Sequence, residues 1–357
     1  MIIGILGMPL TGKTTIFNLI TSQHKETDAF SSRKTKNIGV AKIVDERVDI
    51  LSTIYQPKKT TYASIEMIDI PGISSDMTGK TKQEIFTQIY KADALLIVIR
   101  TFKDSKIPGI VDPLYQAESL IYEILLHDLE MVGNRITRLS ESKRKITNQE
   151  KFEKQILERC QVHLESDQLL KTQLLSEEEL KILSGFNFFT LKPIIFALNV
   201  DENEINDQKI TNYKNFDKFI QEHQMASIAI CGKLEMEIND LAEEEKKIFL
   251  EEIGFKKTGI ERLSQVLYDH LGLISFFTVG KDEVKAWTIY RSTTAVKAAG
   301  KIHSDIERGF IRAEVVNFID FMQYKSMPKI KEKGLLKIEG KGYLIEDGDI
   351  VNFRFNV

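Results

Sequence analysis

The sequence predicts an α/β protein with a mostly parallel sheet, and two observations lead to this fold class. Apolar runs rich in β-branched residues recur along the chain, and helical patterns separate several of them. This alternation is typical of parallel strands joined by helical crossovers, with helices on both faces of the sheet. The predicted strands are residues 1–6, 38–44, 63–70, 94–99, 194–198 and 227–230.

The interval between the strands 94–99 and 194–198 is too long for a single crossover. Residues 113–187 are rich in Glu, Lys, Gln and Leu, and their apolar residues recur at helical spacing. We predict a helical insertion here, an antiparallel coiled-coil hairpin that turns near Thr147 and Asn148. Its charges form an ordinary solvated helix face or a docking arm, and the sequence leaves both open.

The character of the chain changes again near residue 273, where short strands return. They are predicted at residues 276–279, 284–289, 335–338, 343–345 and 351–355, with Gly-containing turns at 339–342 and 347–349. This pattern indicates a small α+β module. The predicted domains are therefore 1–112 with 188–272 for the parallel sheet, 113–187 for the helical insertion, and 273–357 for the closing module.

Composition narrows the functional class. The net charge of −3 gives no reason to expect non-specific nucleic-acid binding by the chain as a whole. Two cysteines, Cys160 and Cys231, are too few for a disulfide framework and suggest a reducing compartment. No apolar stretch approaches the roughly 20 residues of a membrane span, and the first strand is too short for a secretion signal. We expect a cytoplasmic protein without a membrane partner.

The first strand leads into a motif that binds phosphate. The motif G-x-x-x-x-G-K-T is present as Gly7-Met8-Pro9-Leu10-Thr11-Gly12-Lys13-Thr14, with Thr15 and a helical pattern after it. Glycines let main-chain N–H groups face a polyphosphate, the lysine reaches the outer phosphates, and the threonine hydroxyl ligates Mg²⁺. The strand–loop–helix context disfavours an ordinary Gly-rich turn. We predict a nucleoside triphosphate site that includes Gly7, Pro9, Leu10, Thr11, Gly12, Lys13, Thr14 and Thr15.

A second motif follows the predicted strand 63–70. It is D-x-x-G, present as Asp69-Ile70-Pro71-Gly72. In P-loop switch proteins such an Asp holds Mg²⁺, and the Gly amide contacts the γ-phosphate. The alternative is an ordinary Asp-x-Pro-Gly turn, but the position at a strand end favours the functional role. We therefore expect Thr14 and Asp69 to hold the metal, and Lys13 and Gly72 to act on the γ-phosphate.

The segment after the strand 194–198 is a candidate reader of the base. It reads Asn199-Val200-Asp201-Glu202, where GTPases have Asn-Lys-x-Asp. A carboxylate placed for guanine accepts from its N1–H and N2–H₂, and adenine offers neither partner. Since Glu202 is one methylene longer than the usual Asp, we favour ATP over GTP. The predicted base contacts are Asn199, Val200, Glu202, Cys231 and Gly232.

These motifs resemble those of the YchF/Obg-like ATPase family. The C-terminal stretches resemble it more specifically, in Lys285–Thr288, Lys297–Asp305, Gly309–Val315 and Asp347–Val357. The resemblance spans the whole chain. It implies a nucleotide-binding domain interrupted by a helical hairpin and closed by a β-grasp TGS module. It also implies a preference for ATP, slow hydrolysis and a role linked to the ribosome.

The chain departs from the family pattern at several positions. Leu10 stands where the family usually has an Asn that can help ligate a monovalent cation, which puts potassium stimulation in question. Arg33 occupies the position of the first-switch Thr, with only Thr35 nearby. Ile73 follows Gly72, where Ras-like enzymes place a water-orienting Gln. We expect slow hydrolysis, well below the 1–10³ s⁻¹ or so of ordinary enzymes.

Other candidate residues have simpler roles. We expect Trp287 to lie in a core or domain interface, and His303 with Asp305 to form a structural hydrogen-bonding pair. Lys301, Arg308 and Arg312 are candidates for contact with RNA, although single basic residues on a surface are usually only solvated.

Three functional hypotheses follow. The first is an ATP-binding, slowly hydrolysing switch that docks on the ribosome or RNA through the hairpin and the C-terminal module. The second is a nucleotide-gated binding module with negligible hydrolysis, and a GTP-preferring GTPase is a variant of the first. The third, a small-molecule kinase, is disfavoured by the N-x-x-E segment and the C-terminal module. The oligomeric state is not predicted.

Overall fold

The computed structural model describes residues 1–23, 36–104, 111–142, 144, 146–205 and 213–356. The predicted first-switch positions Arg33 and Thr35 lie outside these residues. The chain divides into two compact units. Unit 1 contains Met1–Gly39 and Glu66–Leu263, and unit 2 contains Val40–Ile65 and Ser264–Val357.

The strands in chain order are β1 (Ile2–Gly7), β2 (Asn37–Ile43), β3 (Lys59–Thr61), β4 (Ala63–Asp69), β5 (Ala94–Arg100), β6 (Ile194–Asn199), β7 (Ala226–Ile230), β8 (Leu273–Val279), β9 (Glu283–Tyr290), β10 (Phe310–Asn317), β11 (Lys337–Glu339) and β12 (Asp349–Phe355). The helices are α1 (Lys13–Thr21), α2 (Glu46–Tyr55), α3 (Gly79–Gln88), α4 (Pro113–Ser140), α5 (Asn148–Glu165), α6 (Glu177–Leu183), α7 (Lys214–Glu222), α8 (Gly232–Asn239), α9 (Glu243–Glu252), α10 (Gly259–His270), α11 (Ala295–Ile302), α12 (Ser304–Arg308), α13 (Phe318–Tyr324) and α14 (Met327–Glu332).

The first sheet has the strand order β2-β4-β1-β5-β6-β7. Strands β4, β1, β5, β6 and β7 pair in parallel, as the sequence predicted. Every residue of β5 is buried, because both faces of a parallel sheet are covered. The carboxyl ends of parallel strands meet at one edge, so the residues that follow β1, β4, β6 and β7 are brought together there.

The predicted helical insertion is present as α4 and α5. Asp112 caps α4 with Pro113 in its first turn, and Thr147 and Glu150 form a capping box before α5, where the turn was expected. The apolar residues Val132 and Leu139 of α4 belong to the same buried cluster as α5. The guanidinium of Arg135 donates to Glu153 over 2.6 Å between the two helices.

The second sheet belongs to unit 2 and has the order β11-β10-β12-β8-β9-β3. Strands β8 and β9 form an antiparallel pair, β12 lies parallel to β8, and β10 pairs antiparallel with β12. The buried alanine residues of α11 pack in the cluster that contains Phe276 and Phe353. The predicted α+β module is therefore a mixed sheet with a helix on one face, the arrangement of a β-grasp.

In this module one strand prediction was wrong and one strand was missed. Residues 343–345 form no strand and make only an isolated bridge between Leu344 and Thr294. The strand β10 was missed, because Ile311 and Arg312 are both exposed and break the alternation that marks a strand. The register shifts between Phe310 and Arg312, as in a β-bulge.

Residues 40–65 group with the C-terminal module, which composition did not suggest. Strand β3 pairs in parallel with β9 at the edge of the second sheet, and the Thr61 hydroxyl donates to Glu283 over 2.6 Å. Arg47 in α2 donates to Asp347 over 2.7 Å, and Tyr55 stacks on Phe321. The segment between two strands of the first sheet thus contributes a helix and a strand to unit 2. No helix in the described part of the chain is both long and apolar enough to span a membrane.

Candidate nucleotide site

The loop between β1 and α1 is held by its own polar groups. The Thr11 hydroxyl donates to the Met8 carbonyl over 3.1 Å, and the Lys13 ammonium donates to the same oxygen over 3.3 Å. Leu10 and Gly12 have φ angles of 63° and 88°, in the left-handed region. Gly12 adopts this conformation without strain, whereas Leu10 does not. The hydrocarbon side chain of Leu10 also offers no oxygen to a monovalent cation.

Close packing explains the glycines of both motifs. A Cβ at Gly7 would lie 2.6 Å from the Val98 carbonyl oxygen, and one at Gly12 would collide with the Asn199 side chain. A Cβ at Gly72 would lie 2.6 Å from the main-chain nitrogen of Pro9. The D-x-P-G segment therefore runs directly against the phosphate loop.

Lys13 is a buried cation. Its side chain is 7% exposed. Burial lowers its pKa below the ordinary value, and the negative charge of Asp69 offsets part of this effect. Because a buried ammonium is costly without a counter-charge, the position suits an anionic ligand such as a triphosphate.

Thr14 and Asp69 provide a pair of oxygen ligands. The Thr14 hydroxyl donates to Asp69 Oδ2 over 2.9 Å, and Asp69 is 3% exposed. The Asn37 amide donates to the same oxygen over 3.3 Å. A hydroxyl and a carboxylate oxygen are the ligands that Mg²⁺ prefers, so this pair fits the expected metal.

Asn199 connects the phosphate loop to the segment after β7. Its Nδ2 donates to the Thr11 carbonyl over 3.1 Å, and its Oδ1 accepts from the Gly232 main-chain N–H over 3.0 Å. The Gly232 amide, one of the predicted base contacts, is therefore engaged by Asn199 in this structure. Thr15 lies close to Gly232, because a Cβ added to Gly232 would be 3.5 Å from Thr15 Cγ2.

The two acidic residues after β6, Asp201 and the candidate base reader Glu202, also have partners. Asp201 accepts from the main-chain N–H of Asn203 over 3.2 Å and caps the short turn that follows it. Glu202 pairs with the Lys233 ammonium over 2.5 Å. Val200 is buried, with its N–H donated to Ile230. Cys231 is buried too, and burial raises the pKa of its thiol.

The residue after Gly72 cannot orient water. Ile73 is 1% exposed, packs in the main core, and donates its N–H to the Gly7 carbonyl over 3.0 Å. The remaining candidates have structural roles. Trp287 donates its indole N–H to Thr278 over 3.0 Å, and His303 Nδ1 accepts from the Asp305 main-chain N–H over 3.1 Å.

Sequence reasoning missed two side chains near this site. Asn37 was not among the predicted site residues, because its contact with Asp69 depends on how β2 is placed in the sheet. Lys233 was not among the predicted site residues either, although it pairs with Glu202. The opposite charges of residues 202 and 233 are the only signal in the sequence for that pair, and this signal is weak.

Comparisons with known proteins agree with this geometry. Residues 2–129 match a family model described as 50S ribosome-binding GTPase. Residues 273–356 match the YchF-GTPase C-terminal family, which is described only as a protein of unknown function.

Full-length relatives are similar over nearly the whole chain. The chain is 36% identical to the "Ribosome-binding ATPase YchF" of Bacillus subtilis (strain 168), over 99% of both sequences. It is 36% identical to the protein of the same name from Mycoplasma genitalium, again over 99% of both. The solved structure of the Schizosaccharomyces pombe YchF GTPase superimposes with a TM-score of 0.84 at 28% identity, covering 99% of this chain and 97% of that one. This chain belongs to the YchF family.

Proposed function

We propose that this protein is an Mg–ATP-binding switch that hydrolyses ATP slowly and acts on the ribosome in the cytoplasm. One observation carries the nucleotide part of the proposal. The buried Lys13, the Thr14–Asp69 pair and the close approach of Gly72 lie around one loop at the carboxyl edge of a parallel sheet. This is where open α/β sheets bind their ligands.

Thr14 and Asp69 are the residues that would hold Mg²⁺. The bound ion would neutralise charge on the phosphate oxygens of the nucleotide. Main-chain N–H groups of the phosphate loop bind the phosphates. The other residues of this part of the site are Gly7, Pro9, Leu10, Thr11, Gly12 and Thr15. Lys13 supplies a positive charge to the outer phosphates, and the Gly72 amide senses the γ-phosphate.

The choice of ATP over GTP rests on Glu202, which stands where GTPases have the shorter Asp. Asp201 caps its own turn and Glu202 is paired with Lys233, so in this arrangement both carboxylates are engaged away from guanine. Asn199, Val200, Cys231 and Gly232 frame the base. GTP stays the alternative, since the fission yeast relative is named a GTPase and the bacterial relatives are named ATPases.

Slow hydrolysis rests on Ile73. Its buried hydrocarbon side chain supplies no group to orient the attacking water at the position where Ras-like enzymes use Gln. The same observation favours the second candidate function, a binding module in which nucleotide sets the geometry and hydrolysis is negligible.

The partner is proposed from the relatives, two of which are named ribosome-binding ATPases. We propose that the helical hairpin (113–187) and a TGS-like C-terminal module (273–357) contact the ribosome or its RNA. The nucleotide-binding domain in this scheme consists of residues 1–112 and 188–272.

A single pair of assays tests this function. Single-turnover release of phosphate from Mg–ATP is measured with and without purified ribosomes, and ribosome binding is followed by co-sedimentation with ATP, ADP or no nucleotide. We expect slow release without ribosomes and nucleotide-dependent co-sedimentation. Turnover in the ordinary enzyme range without ribosomes would contradict slow intrinsic hydrolysis, and nucleotide-independent sedimentation would contradict the switch.

A further inference from the structure

The side chain of Asn37 contacts the carboxylate that is proposed to hold the metal. Asn37 Nδ2 lies 3.3 Å from Asp69 Oδ2, the same oxygen that accepts from the Thr14 hydroxyl at 2.9 Å. We propose that Asn37 is a positioning residue, which fixes the orientation of the Asp69 carboxylate for magnesium. This inference rests on the proposed function, and it assigns a role to the start of β2.

The packing of β2 explains how Asn37 reaches Asp69. Asn37 and Gly39 are two residues apart on one strand and therefore face the same side. A Cβ at Gly39 would lie 2.7 Å from Thr21 Cγ2 and 2.9 Å from Phe17 Cζ. Gly39 thus lets β2 lie close against α1, the helix that begins at Lys13. The same face of the strand carries Asn37 to the end of β4.

The chemistry of an amide suits this position. An Asn donates a hydrogen bond to the carboxylate but carries no charge, so it leaves the negative charge of Asp69 available to a cation. A Lys or Arg here would pair with Asp69 and oppose a metal ion. Groups that hydrogen-bond a metal-holding carboxylate orient it, and their removal typically costs about 10- to 100-fold in metal affinity.

The test separates magnesium-dependent from magnesium-independent nucleotide binding. Asn37→Leu keeps the size of the side chain and removes the donor. Affinity for a fluorescent ATP analogue is measured with Mg²⁺ and with EDTA, together with the Mg²⁺ concentration at half-saturation. We expect Asn37→Leu to weaken binding about tenfold with Mg²⁺ and less than twofold in EDTA, and to raise the Mg²⁺ midpoint about tenfold.

Two further variants keep the result interpretable. Ile38→Ala changes the neighbouring side chain of β2, which is 48% exposed, and should leave the Mg²⁺ midpoint unchanged. Asp69→Asn removes the carboxylate and should abolish most of the Mg²⁺ dependence. An equal loss with and without Mg²⁺ in Asn37→Leu, no loss at all, or the same midpoint shift in Ile38→Ala would overturn the role of Asn37. If Mg²⁺ has no effect on nucleotide binding by the wild-type protein, the proposed function is overturned instead.

Discussion

The side-chain amide of Asn199 donates to the main-chain carbonyl of Thr11 over 3.1 Å, although the two residues are 188 positions apart. The other end of the same amide accepts from Gly232 over 3.0 Å. One side chain therefore joins the phosphate loop to the start of α8, where the base is proposed to bind. The two halves of the proposed nucleotide site are joined through this residue.

Substitution of Asn199 should weaken nucleotide binding. Asn199→Asp keeps an oxygen toward Gly232 but loses the donor to Thr11 and places a carboxylate beside its carbonyl. We expect a loss of about 1–3 kcal/mol, or about 5- to 150-fold in affinity for Mg–ATP, as for other buried unpaired polar groups. Calorimetric titration measures the loss. Unchanged affinity would show that the Asn199 contacts do not hold the loop in its binding conformation.

Substitution of Gly12 tests the conformation of the phosphate loop most directly. Gly12→Ala places a methyl group against the Asn199 amide and forces Ala to a φ of 88°. We expect affinity for Mg–ATP to fall at least about tenfold, because strain at such a φ costs about 1–3 kcal/mol and the methyl group displaces Asn199.

Gly79→Ala is the matched control for that substitution. Gly79 begins α3, has no positive φ, and has open space around the position of a Cβ. The affinity of the Gly79→Ala variant for nucleotide should stay within twofold of wild type, and its thermal stability should be equal or slightly higher. A similar loss of nucleotide binding in both variants would point to a general effect on unit 1.

Base selectivity should respond to Lys233. Lys233→Ala releases the Glu202 carboxylate, which then becomes available to the N1–H and N2–H₂ of guanine. We expect the ratio of ATP to GTP affinity to fall by about tenfold or more, in line with one hydrogen bond to a charged group. Lys218→Ala, which removes the exposed pairing with Glu222, is the control. A ratio that stays constant would remove Glu202 from base recognition.

Nucleotide binding should be coupled to the uptake of a proton by Lys13. Burial lowers the pKa of Lys13 in the free protein, and a triphosphate beside the ammonium raises it. Between these two values the free protein is neutral at Lys13 and the complex is charged, so affinity falls as the pH rises. Calorimetry over a series of pH values, each in two buffers of different ionisation enthalpy, should show proton uptake in wild type and none in Lys13→Arg, since arginine stays charged. Equal uptake by both proteins would contradict the role of Lys13.

The ion pairs of unit 2 give a stability prediction. Arg47 contacts Asp45 and Asp347 and lies over the Phe277 ring, and these partners raise its pKa despite burial. Arg47→Met should lower the free energy of unfolding by about 1 kcal/mol, since the pairs are partly screened by solvent. Lys58→Met removes a fully solvated pair with Asp282 and should change little. Urea unfolding compares them, and equal effects would show that Arg47 has no special role.

The sequence predicted the parts of the fold that depend on local pattern. The phosphate loop, each single strand and the hairpin depend on residues within one continuous stretch of chain. The turn of the hairpin was predicted near Thr147, and the cap of α5 lies there. The contacts of Asn199 with Gly232 and of Asn37 with Asp69 were not predictable, because they depend on which strands lie side by side. Strand β3 has only three residues and pairs with β9, more than 200 residues later. The domain boundaries, the roles of the site residues and the identity of the C-terminal module as a TGS domain stay predictions.

The most direct test of the proposed nucleotide site is a calorimetric titration of the purified protein with ATP and with GTP in the presence of Mg²⁺. We predict that both nucleotides compete for one site and that ATP binds about tenfold or more tightly than GTP, the difference expected for a mismatched buried polar contact. A tenfold higher affinity for GTP, or the absence of binding by either nucleotide, would contradict it.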